Sequence, residues 1–298
     1  MNEKHAYLIM AHTQFELLGI LLELLDYAEN DIYLHIDKKV KNIDTDRLLG
    51  LVKRAELTIL NTRIDVEWGI FSQIECELQL LEEATKKKHS YYHLMSGADL
   101  PLKSQKEIHD YFERNMGTEY IHFDAPQIDP DSYNRVSKYV FFASRNKGFW
   151  EKVAFKILMT LEHGVDRGKK VQWVYQKGAN WFSITDALAH YILEQREIIE
   201  KQFKFTRCAD EVFLQTLAYN SEFKNRIVTN NYCDNYETIC YYIDWKRGNP
   251  YVFRITDFDA LINSDMLFAR KFDWDIDKDI ILKIKDYIQR SENNEKAR

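Results

Sequence analysis

The residue best suited to acid–base chemistry is Glu211, in the segment TRCADEVFLQT that runs from Thr206 to Thr216. Apolar residues at helical spacing follow it, and Asp210 directly before it is a suitable N-cap, so the pattern predicts a helix start here. A carboxylate at such a helix start, beside a cleft, can act as a general base. The alternative is structural, because acidic residues are common in first helical turns through the helix dipole alone.

The composition is that of a soluble globular protein with an ample core, since 45% of the 298 residues are hydrophobic and 30% are charged. A net charge of −6 argues against a broad electrostatic contact with nucleic acid. Four cysteines without a CxxC pair argue against a zinc site or a disulfide framework. The apolar stretch at residues 6–11 is too short for a signal peptide or a transmembrane segment, so we expect a cytoplasmic protein.

Short apolar runs alternate with longer amphipathic runs through the first hundred residues, which is typical of an α/β fold. The predicted strands are Ala6–Ala11, Ile32–Ile36, Leu57–Leu60 and Tyr91–Met95, and the predicted helices between them are Phe15–Ala28, Thr45–Arg54 and Ser72–Ala84. Because these strands are apolar on both faces, we expect a mostly parallel sheet with right-handed crossovers. Ligands of such sheets bind at the carboxyl ends of the strands.

Polar residues follow three of the predicted strands at the ends where a ligand is expected. His12 and Thr13 follow the first strand and could contact a base or ribose, or simply cap the next helix. Asp37 follows the second strand and could bind ribose or uracil, or pair with a neighbouring lysine. Ser96 and Asp99 follow the fourth strand, so these side chains together are candidates for nucleotide and sugar contacts.

Several aromatic residues are candidates for stacking on sugar rings or bases, although such residues are as often part of the core. They are Trp68, Trp181 with the adjacent Asn180, and Trp245 and Tyr251 in a later loop, with further aromatic and basic residues in the segment Lys138–Trp150. Neither GxGxxG nor GxxxxGK[ST] occurs in the chain. The sequence therefore indicates neither a Rossmann dinucleotide enzyme nor a P-loop NTPase.

Six segments in sequence order resemble the core 2/I-branching β-1,6-N-acetylglucosaminyltransferases, glycosyltransferase family 14, which also includes peptide O-xylosyltransferases. The segments are HAYLIMAH at 5–12, LHIDKK at 34–39, SGADLPLKS at 96–104, GANWFSIT at 178–185, ADEVFLQTL at 209–217 and SDMLFARKFD at 264–273. Each motif is weak alone, whereas six in order are hard to obtain by chance. The resemblance covers about residues 5–277, and the chain looks like a bacterial-type member.

The resemblance implies a GT-A-like fold in a single catalytic domain over residues 1–298. Residues of about 1–123 would form the nucleotide-sugar-binding half, about 124–280 the acceptor and catalytic half, and 281–298 a terminal helix and charged tail. It also implies inversion at the anomeric carbon with no metal or other cofactor. Most GT-A enzymes hold a metal with Asp-x-Asp after the central strand, where this chain has only Asp99. Side-chain cations would then neutralise the leaving diphosphate.

By resemblance, Glu211 matches the family's catalytic glutamate, and Lys271 matches the lysine that contacts the diphosphate. The family also uses an arginine about two dozen residues before that lysine; this chain departs from the pattern there, with Arg247 as the nearest candidate and Arg254 as the next. Glu211 would take the proton of an acceptor hydroxyl as it attacks the anomeric carbon of a UDP-sugar. The resemblance gives Asp99 the task of positioning the donor or acceptor sugar.

Two other classes of function stay open from the sequence. One is a non-catalytic module of the same fold that binds a nucleotide or sugar, and the other is a glycoside hydrolase that pairs Glu211 with Asp99. For a transferase, N-acetylglucosamine is the favoured donor sugar and xylose an alternative. The expected acceptor is a glycan hydroxyl, lipid-linked glycans included, in polysaccharide biosynthesis, and we expect peripheral association with the inner face of the membrane.

Overall fold

The computed structural model describes residues 4–139, 166–228, 232 and 236–296. Its strands are β1 (His5–Ala11), β2 (Asn30–Ile36), β3 (Glu56–Ile59), β4 (Tyr91–Ser96), β5 (Leu100–Pro101), β6 (Tyr120–Ile121), β7 (Phe182–Thr185), β8 (Tyr241–Ile243) and β9 (Phe268–Arg270). The part of the aromatic and basic segment that spans residues 140–150 lies outside the described residues.

The main sheet has six strands in the order β3-β2-β1-β4-β7-β6. Strands β1 to β4 run parallel to one another, and β7 is antiparallel to both of its neighbours. Successive side chains of a strand point to opposite faces, so Tyr7 and Ile9 join one hydrophobic core while Ala6 and Leu8 join the other. The predicted α/β class, with a mostly parallel central sheet flanked by helices, is confirmed.

The helices of the described residues begin close to the predicted positions in the first hundred residues. They are α1 (Phe15–Leu24), α2 (Thr45–Leu51), α3 (Ser72–Ala84), α4 (Gln105–Arg114), α5 (Pro130–Ser137), α6 (Asp186–Glu194), α7 (Arg196–Phe203), α8 (Phe213–Tyr219), α9 (Phe258–Ile262) and α10 (Lys278–Lys296). In the part of the chain that the structure describes, none of the helices combines the length and the apolar character needed to span a membrane.

A second, three-stranded sheet has the order β5-β9-β8 and connects the segment after β4 to the carboxyl-terminal part of the chain. The backbone N–H of Leu102 donates to the carbonyl of Leu267 at 2.8 Å, and that of Phe272 donates to the carbonyl of Ala98 at 3.0 Å. These long-range bonds fix the residues after β9 beside the carboxyl end of β4. The two sheets thereby bring distant cations to the predicted ligand edge.

The prediction that Asp210 caps a helix at Glu211 is wrong. Residues Ala209–Glu211 form a single 3-10 turn, and α8 begins only at Phe213. The buried Asp210 carboxylate instead accepts a hydrogen bond from Nε2 of Gln73 on α3, at 3.1 Å. The apolar residues that follow the turn belong to the same hydrophobic core as the buried apolar residues of α3. The turn therefore packs beside α3, and Asp210 contacts that helix instead of the N–H groups at the start of α8.

Candidate active site

A cavity of about 1260 Å³ opens where the carboxyl ends of β1, β2 and β4 meet. It is larger than the roughly 300–1,000 Å³ of a typical small-molecule site. It brings together most of the residues singled out from the sequence. These are His12, Thr13, Asp37, Trp68, Ser96, Asn180, Trp181, Glu211, Trp245 and Lys271. Asp99, Arg247, Arg254 and Tyr251 are not among its lining residues.

Glu211 lies in the cavity wall with 34% of its side chain exposed. Its Oε2 is 3.0 Å from Nη1 of Arg135 on α5 and 3.7 Å from Nζ of Lys177. Its backbone carbonyl accepts a hydrogen bond of 2.9 Å from the N–H of Gly178. Main chain and side chain of Glu211 are thus both held, with the carboxylate facing the cavity beside two cations.

Two further carboxyl groups in this region, those of Asp210 and Glu77, are buried. Burial, reinforced by the neighbouring Glu211 charge, raises the pKa of Asp210 to about 7. Glu77 on α3 is fully buried, and neither of its carboxyl oxygens has a hydrogen-bond partner among the residues that the structure describes. Burial and the charge of Asp210 raise the pKa of Glu77 well above its usual range. Asp210 also lines the cavity but is only 7% exposed, so Glu211 is the most accessible carboxylate of this group.

Two adjacent cations, Arg270 and Lys271, also line the cavity. Within the described ranges, Lys271 makes no ion pair. Arg270, which the sequence analysis did not single out, places Nη1 3.3 Å from Oδ1 of Asp99 and its guanidinium carbon 4.1 Å from the ring centroid of Trp181. Arg270 directly precedes Lys271 in the motif LFARKFD, but adjacent residues of a strand point to opposite faces, which argues against both facing one cavity. Strand β9 ends at Arg270, so this rule does not apply to Lys271, and both residues line the cavity.

Asp99, at the strand end where most GT-A enzymes hold a metal, is completely buried. Its Oδ2 accepts from the Ser96 N–H and its Oδ1 from the Ser96 hydroxyl, both at 2.8 Å. Burial raises the pKa of Asp99, and the nearby Arg270 charge opposes that shift. Among residues 4–139, 166–228, 232 and 236–296, no three His, Cys, Asp or Glu side chains cluster as metal ligands would.

The two arginines predicted to contact the diphosphate lie outside the cavity lining and are bound by the protein itself. Arg247 pairs with Asp244 at 2.5 Å and with Asp257 at 2.7 Å, and its guanidinium lies 4.0 Å from the ring centroid of Tyr251. Arg254 donates from Nη1 to the carbonyl of Ile276 at 2.8 Å. Both guanidinium groups therefore have partners within the protein itself.

The nucleotide side of the cavity is built on the ends of β1 and β2. Asp37 accepts from the backbone N–H groups of Lys39 at 2.7 Å and Val66 at 3.1 Å. His12 and Thr13 are exposed and do not cap α1, because Gln14 occupies its N-cap position. Asp37 thus shapes the loop, while His12 and Thr13 are free to face a ligand.

Two tryptophans stand at the cavity surface rather than in the core. Trp68 is 75% exposed and Trp245 is 45% exposed, and both line the cavity. The guanidinium carbon of Arg207 lies 5.9 Å from the ring centroid of Trp68. Exposed aromatic faces in a cavity are suited to stacking on bases and sugar rings.

The sequence model of the core-2/I-branching enzymes matches residues 5–261 of this chain. The chain belongs to the core-2/I-branching enzyme family, a family of glycosyltransferases. The family resemblance is thereby confirmed over residues 5–261, which include five of the six motifs, whereas the motif at 264–273 lies beyond this match.

Individual relatives of this branching-enzyme family member are distant. It is 22% identical over 291 residues to Xylosyltransferase oxt of Drosophila pseudoobscura pseudoobscura, an alignment that covers 90% of this chain and 31% of that protein. It is 21% identical over 299 residues to the Bos taurus beta-1,3-galactosyl-O-glycosyl-glycoprotein beta-1,6-N-acetylglucosaminyltransferase, which covers 91% of this chain and 66% of that protein. The chain spans about a third of the length of the curated xylosyltransferases it matches.

Among solved structures, the apo crystal structure of mouse xyloside xylosyltransferase 1 aligns with 89% of this branching-enzyme family member and 96% of its own chain. The TM-score is 0.39 and the sequence identity is 11%.

Proposed function

We propose that this chain is an inverting glycosyltransferase that moves a sugar from a UDP-sugar to a glycan hydroxyl, with Glu211 as general base. The observation that carries the proposal is that the partly exposed carboxylate of Glu211 and the cation Lys271 both line one cavity. A base and a cation in the same cavity suit a displacement in which a proton is lost from one reactant and negative charge develops on the other.

In the proposed reaction, the acceptor oxygen forms a bond to the anomeric carbon as the bond from that carbon to the diphosphate breaks. The acceptor proton passes to Glu211, and UDP leaves with the electron pair. Lys271 and an arginine neutralise the charge that develops on the diphosphate. A single base is sufficient, because an activated diphosphate needs no proton in order to leave.

We propose that the reaction needs no metal. The support is the position of Asp99, whose oxygens are engaged by Ser96 and Arg270 inside the protein. The same burial speaks against a glycoside hydrolase, because that chemistry needs two carboxyl groups that flank the scissile bond. Asp99 is fully buried and does not line the cavity.

For the donor, we propose N-acetylglucosamine with xylose as the alternative, since relatives of both names match this chain. A lipid-linked glycan acceptor and action at the cytoplasmic face of a membrane remain predictions. Because donor sugars that differ by an acetamido or hydroxymethyl group are distinguished by only a few contacts, a donor screen is the experiment that identifies the donor.

The proposal is tested with Glu211→Gln, which keeps the shape of the side chain and removes its basicity. We expect the variant to bind UDP as the wild type does and to lose at least about a hundredfold of transfer rate, the usual contribution of a general base. Transfer is measured by mass spectrometry of glycosylated product over a set of UDP-sugars and acceptors, with and without a chelator.

Glu197→Gln, at an exposed position of α7, is the matched control and should keep the wild-type rate. Undiminished transfer by Glu211→Gln would contradict the role of the base, and loss of transfer with chelator would contradict metal independence. UDP binding without turnover of any donor would favour the binding module. Release of free sugar without transfer would favour hydrolysis.

A further inference from the structure

Lys177 lines the same cavity as Glu211 and was not among the residues singled out from the sequence. Its ammonium group contacts two carboxylates in the cavity wall, those of Asp124 and Glu211. We propose that Lys177 is a positioning residue for the general base, which fixes the Glu211 carboxylate in the orientation that receives the acceptor proton. The inference rests on the proposed function, because the role it assigns is exerted through Glu211.

Lys177 is itself held in place by Asp124, which follows β6. The backbone carbonyl of Lys177 accepts a hydrogen bond of 2.9 Å from the Asp124 N–H. The ammonium group of Lys177 also forms an ion pair with Oδ2 of Asp124, and only 19% of the lysine side chain is exposed. Since both its main chain and its ammonium group are anchored to one residue, the Lys177 side chain has little conformational freedom left to lose when a substrate binds.

The charge of Lys177 keeps two carboxylates together. Burial by itself would lower the pKa of Lys177, but the hydrogen bond to Asp124 and the charges of Asp124 and Glu211 outweigh it, so the pKa lies above its ordinary value. Two carboxylates that share one ammonium group would repel each other without it. A neutral side chain at position 177 would therefore push the Glu211 carboxylate away from Asp124.

Lys177 reaches Glu211 from the same short segment that holds the Glu211 backbone. Its Nζ lies 3.7 Å from Oε2 of Glu211, and the N–H of the next residue, Gly178, donates to the Glu211 carbonyl at 2.9 Å. At 3.7 Å the side-chain contact is an ion pair rather than a hydrogen bond. Lys177 thus attracts the carboxylate without occupying a hydrogen-bonding position that the acceptor hydroxyl needs.

The two cations beside Glu211 approach the same oxygen. Nη1 of Arg135 lies 3.0 Å from Oε2, the atom that Lys177 also faces. In the part of the chain that the structure describes, Oε1 of Glu211 accepts no hydrogen bond, so it is the oxygen available to take the acceptor proton. A general base has to lie within about 2.6–3.2 Å of the oxygen that it deprotonates, so its orientation affects the rate directly.

The experiment measures steady-state transfer by Lys177→Met, which keeps the length and the apolar stem of lysine and removes the charge. We expect kcat to decrease by about tenfold, which is less than the roughly hundredfold that a 1 Å misplacement of a reacting group can cost. The KM values for donor and acceptor should stay within about twofold of the wild type, because Lys177 acts on Glu211 rather than on a ligand. Lys177→Arg should recover part of kcat, since the charge is kept.

The second measurement repeats Lys177→Met in the Glu211→Gln background, where the amide has neither the charge nor the basicity of the carboxylate. A positioning role predicts that the effect of Lys177→Met disappears there, because residues that act as a unit are not additive. Lys201→Met, at an exposed position of α7, is the matched control and should keep the wild-type kcat. Melting temperatures of all variants show whether a loss of rate reflects a loss of folding.

An unchanged kcat in Lys177→Met would overturn the inference. A loss that appears in the KM for the acceptor would also contradict it, because Lys177 would then be a substrate contact. The same holds for an equal loss of kcat in both backgrounds, which would indicate a structural role. In each of these cases the proposed function stands as long as Glu211→Gln alone lowers transfer, whereas full transfer by Glu211→Gln would overturn both.

Discussion

Asp210 and Glu211 are neighbours in the chain, but the protein treats their carboxyl groups differently. Glu211 keeps about a third of its side chain exposed beside Arg135 and Lys177, whereas Asp210 is 7% exposed and has Gln73 as its hydrogen-bond donor. Burial of a carboxylate disfavours its charged form, which is why the pKa of Asp210 rises to about 7. Both side chains of the turn line the cavity, but Glu211 is the more accessible of the two, and burial raises the pKa of Asp210.

We predict that Asp210→Asn makes the folded protein more stable at pH 8 and changes its stability little at pH 4.5. The raised pKa, about 7 against an ordinary 3.8, means that the folded state binds this proton more tightly than the unfolded state. Asp210 thus contributes stability below pH 4 that is lost as pH rises through about 7. Removing the ionisable group should raise the melting temperature at pH 8 by several degrees, the effect of a few kcal/mol.

The measurement is thermal unfolding followed by circular dichroism at both pH values. The difference between wild type and variant isolates Asp210 from Glu119, whose pKa burial also raises to about 7. An equal decrease in melting temperature at both pH values would contradict the prediction, because it would indicate lost packing rather than lost charge.

At the scale of the elements, the position of Glu211 depends on the segment before β7. The N–H of Gly178 donates to the carbonyl of Glu211 at 2.9 Å, and Gln215 on α8 donates to the carbonyl of Ala179 at 2.6 Å. A β-carbon on residue 178 would lie 1.8 Å from the backbone carbonyl oxygen of His122. Only glycine permits these two backbones to approach so closely.

We therefore predict that Gly178→Ala lowers both stability and transfer. The displaced segment would pull on the Glu211 backbone, and overpacking against main chain costs typically about 1–3 kcal/mol. Gly50→Ala in α2 is the matched control, because its new β-carbon meets nothing within 4 Å. An alanine in a helix should be neutral or stabilising there. Melting temperatures and transfer rates of both variants check this, and a Gly178→Ala enzyme of normal stability and rate would contradict it.

The elements that the sequence could predict are those whose pattern is local. Strands β1, β2 and β4 are mostly apolar and almost entirely buried, and the helix Ser72–Ala84 has the predicted bounds. The second sheet was not predicted, because strands of two or three residues carry no periodicity and their pairing joins residues 100–101 to residues 241–270. The same distinction applies to the site. The residues at the ends of the predicted strands could be identified from the sequence, whereas the position of Arg270 depends on the long-range pairing of β9.

On the scale of the whole molecule, the two ends of the main sheet have different tasks. The carboxyl ends of β1 and β4 line the cavity, while three histidines pack together near their amino ends. The rings of His5 and His109 stack with centroids 3.8 Å apart, and Nε2 of His93 lies 3.0 Å from Nδ1 of His5. All three are buried, and burial lowers the pKa of each of them, that of His109 to about 4.

This cluster predicts that the free energy of unfolding decreases in mild acid. The lowered pKa values mean that the unfolded chain takes up protons first, so the stabilisation is complete above pH 6.5 and is lost as pH falls toward about 4. For His109 alone the loss at pH 5 is about 2 kcal/mol. Urea unfolding at pH 7 and pH 5 should show a smaller decrease for His109→Gln than for the wild type. His190→Gln, on the exposed side of α6, should retain the full decrease, and an identical decrease in all three proteins would contradict the prediction.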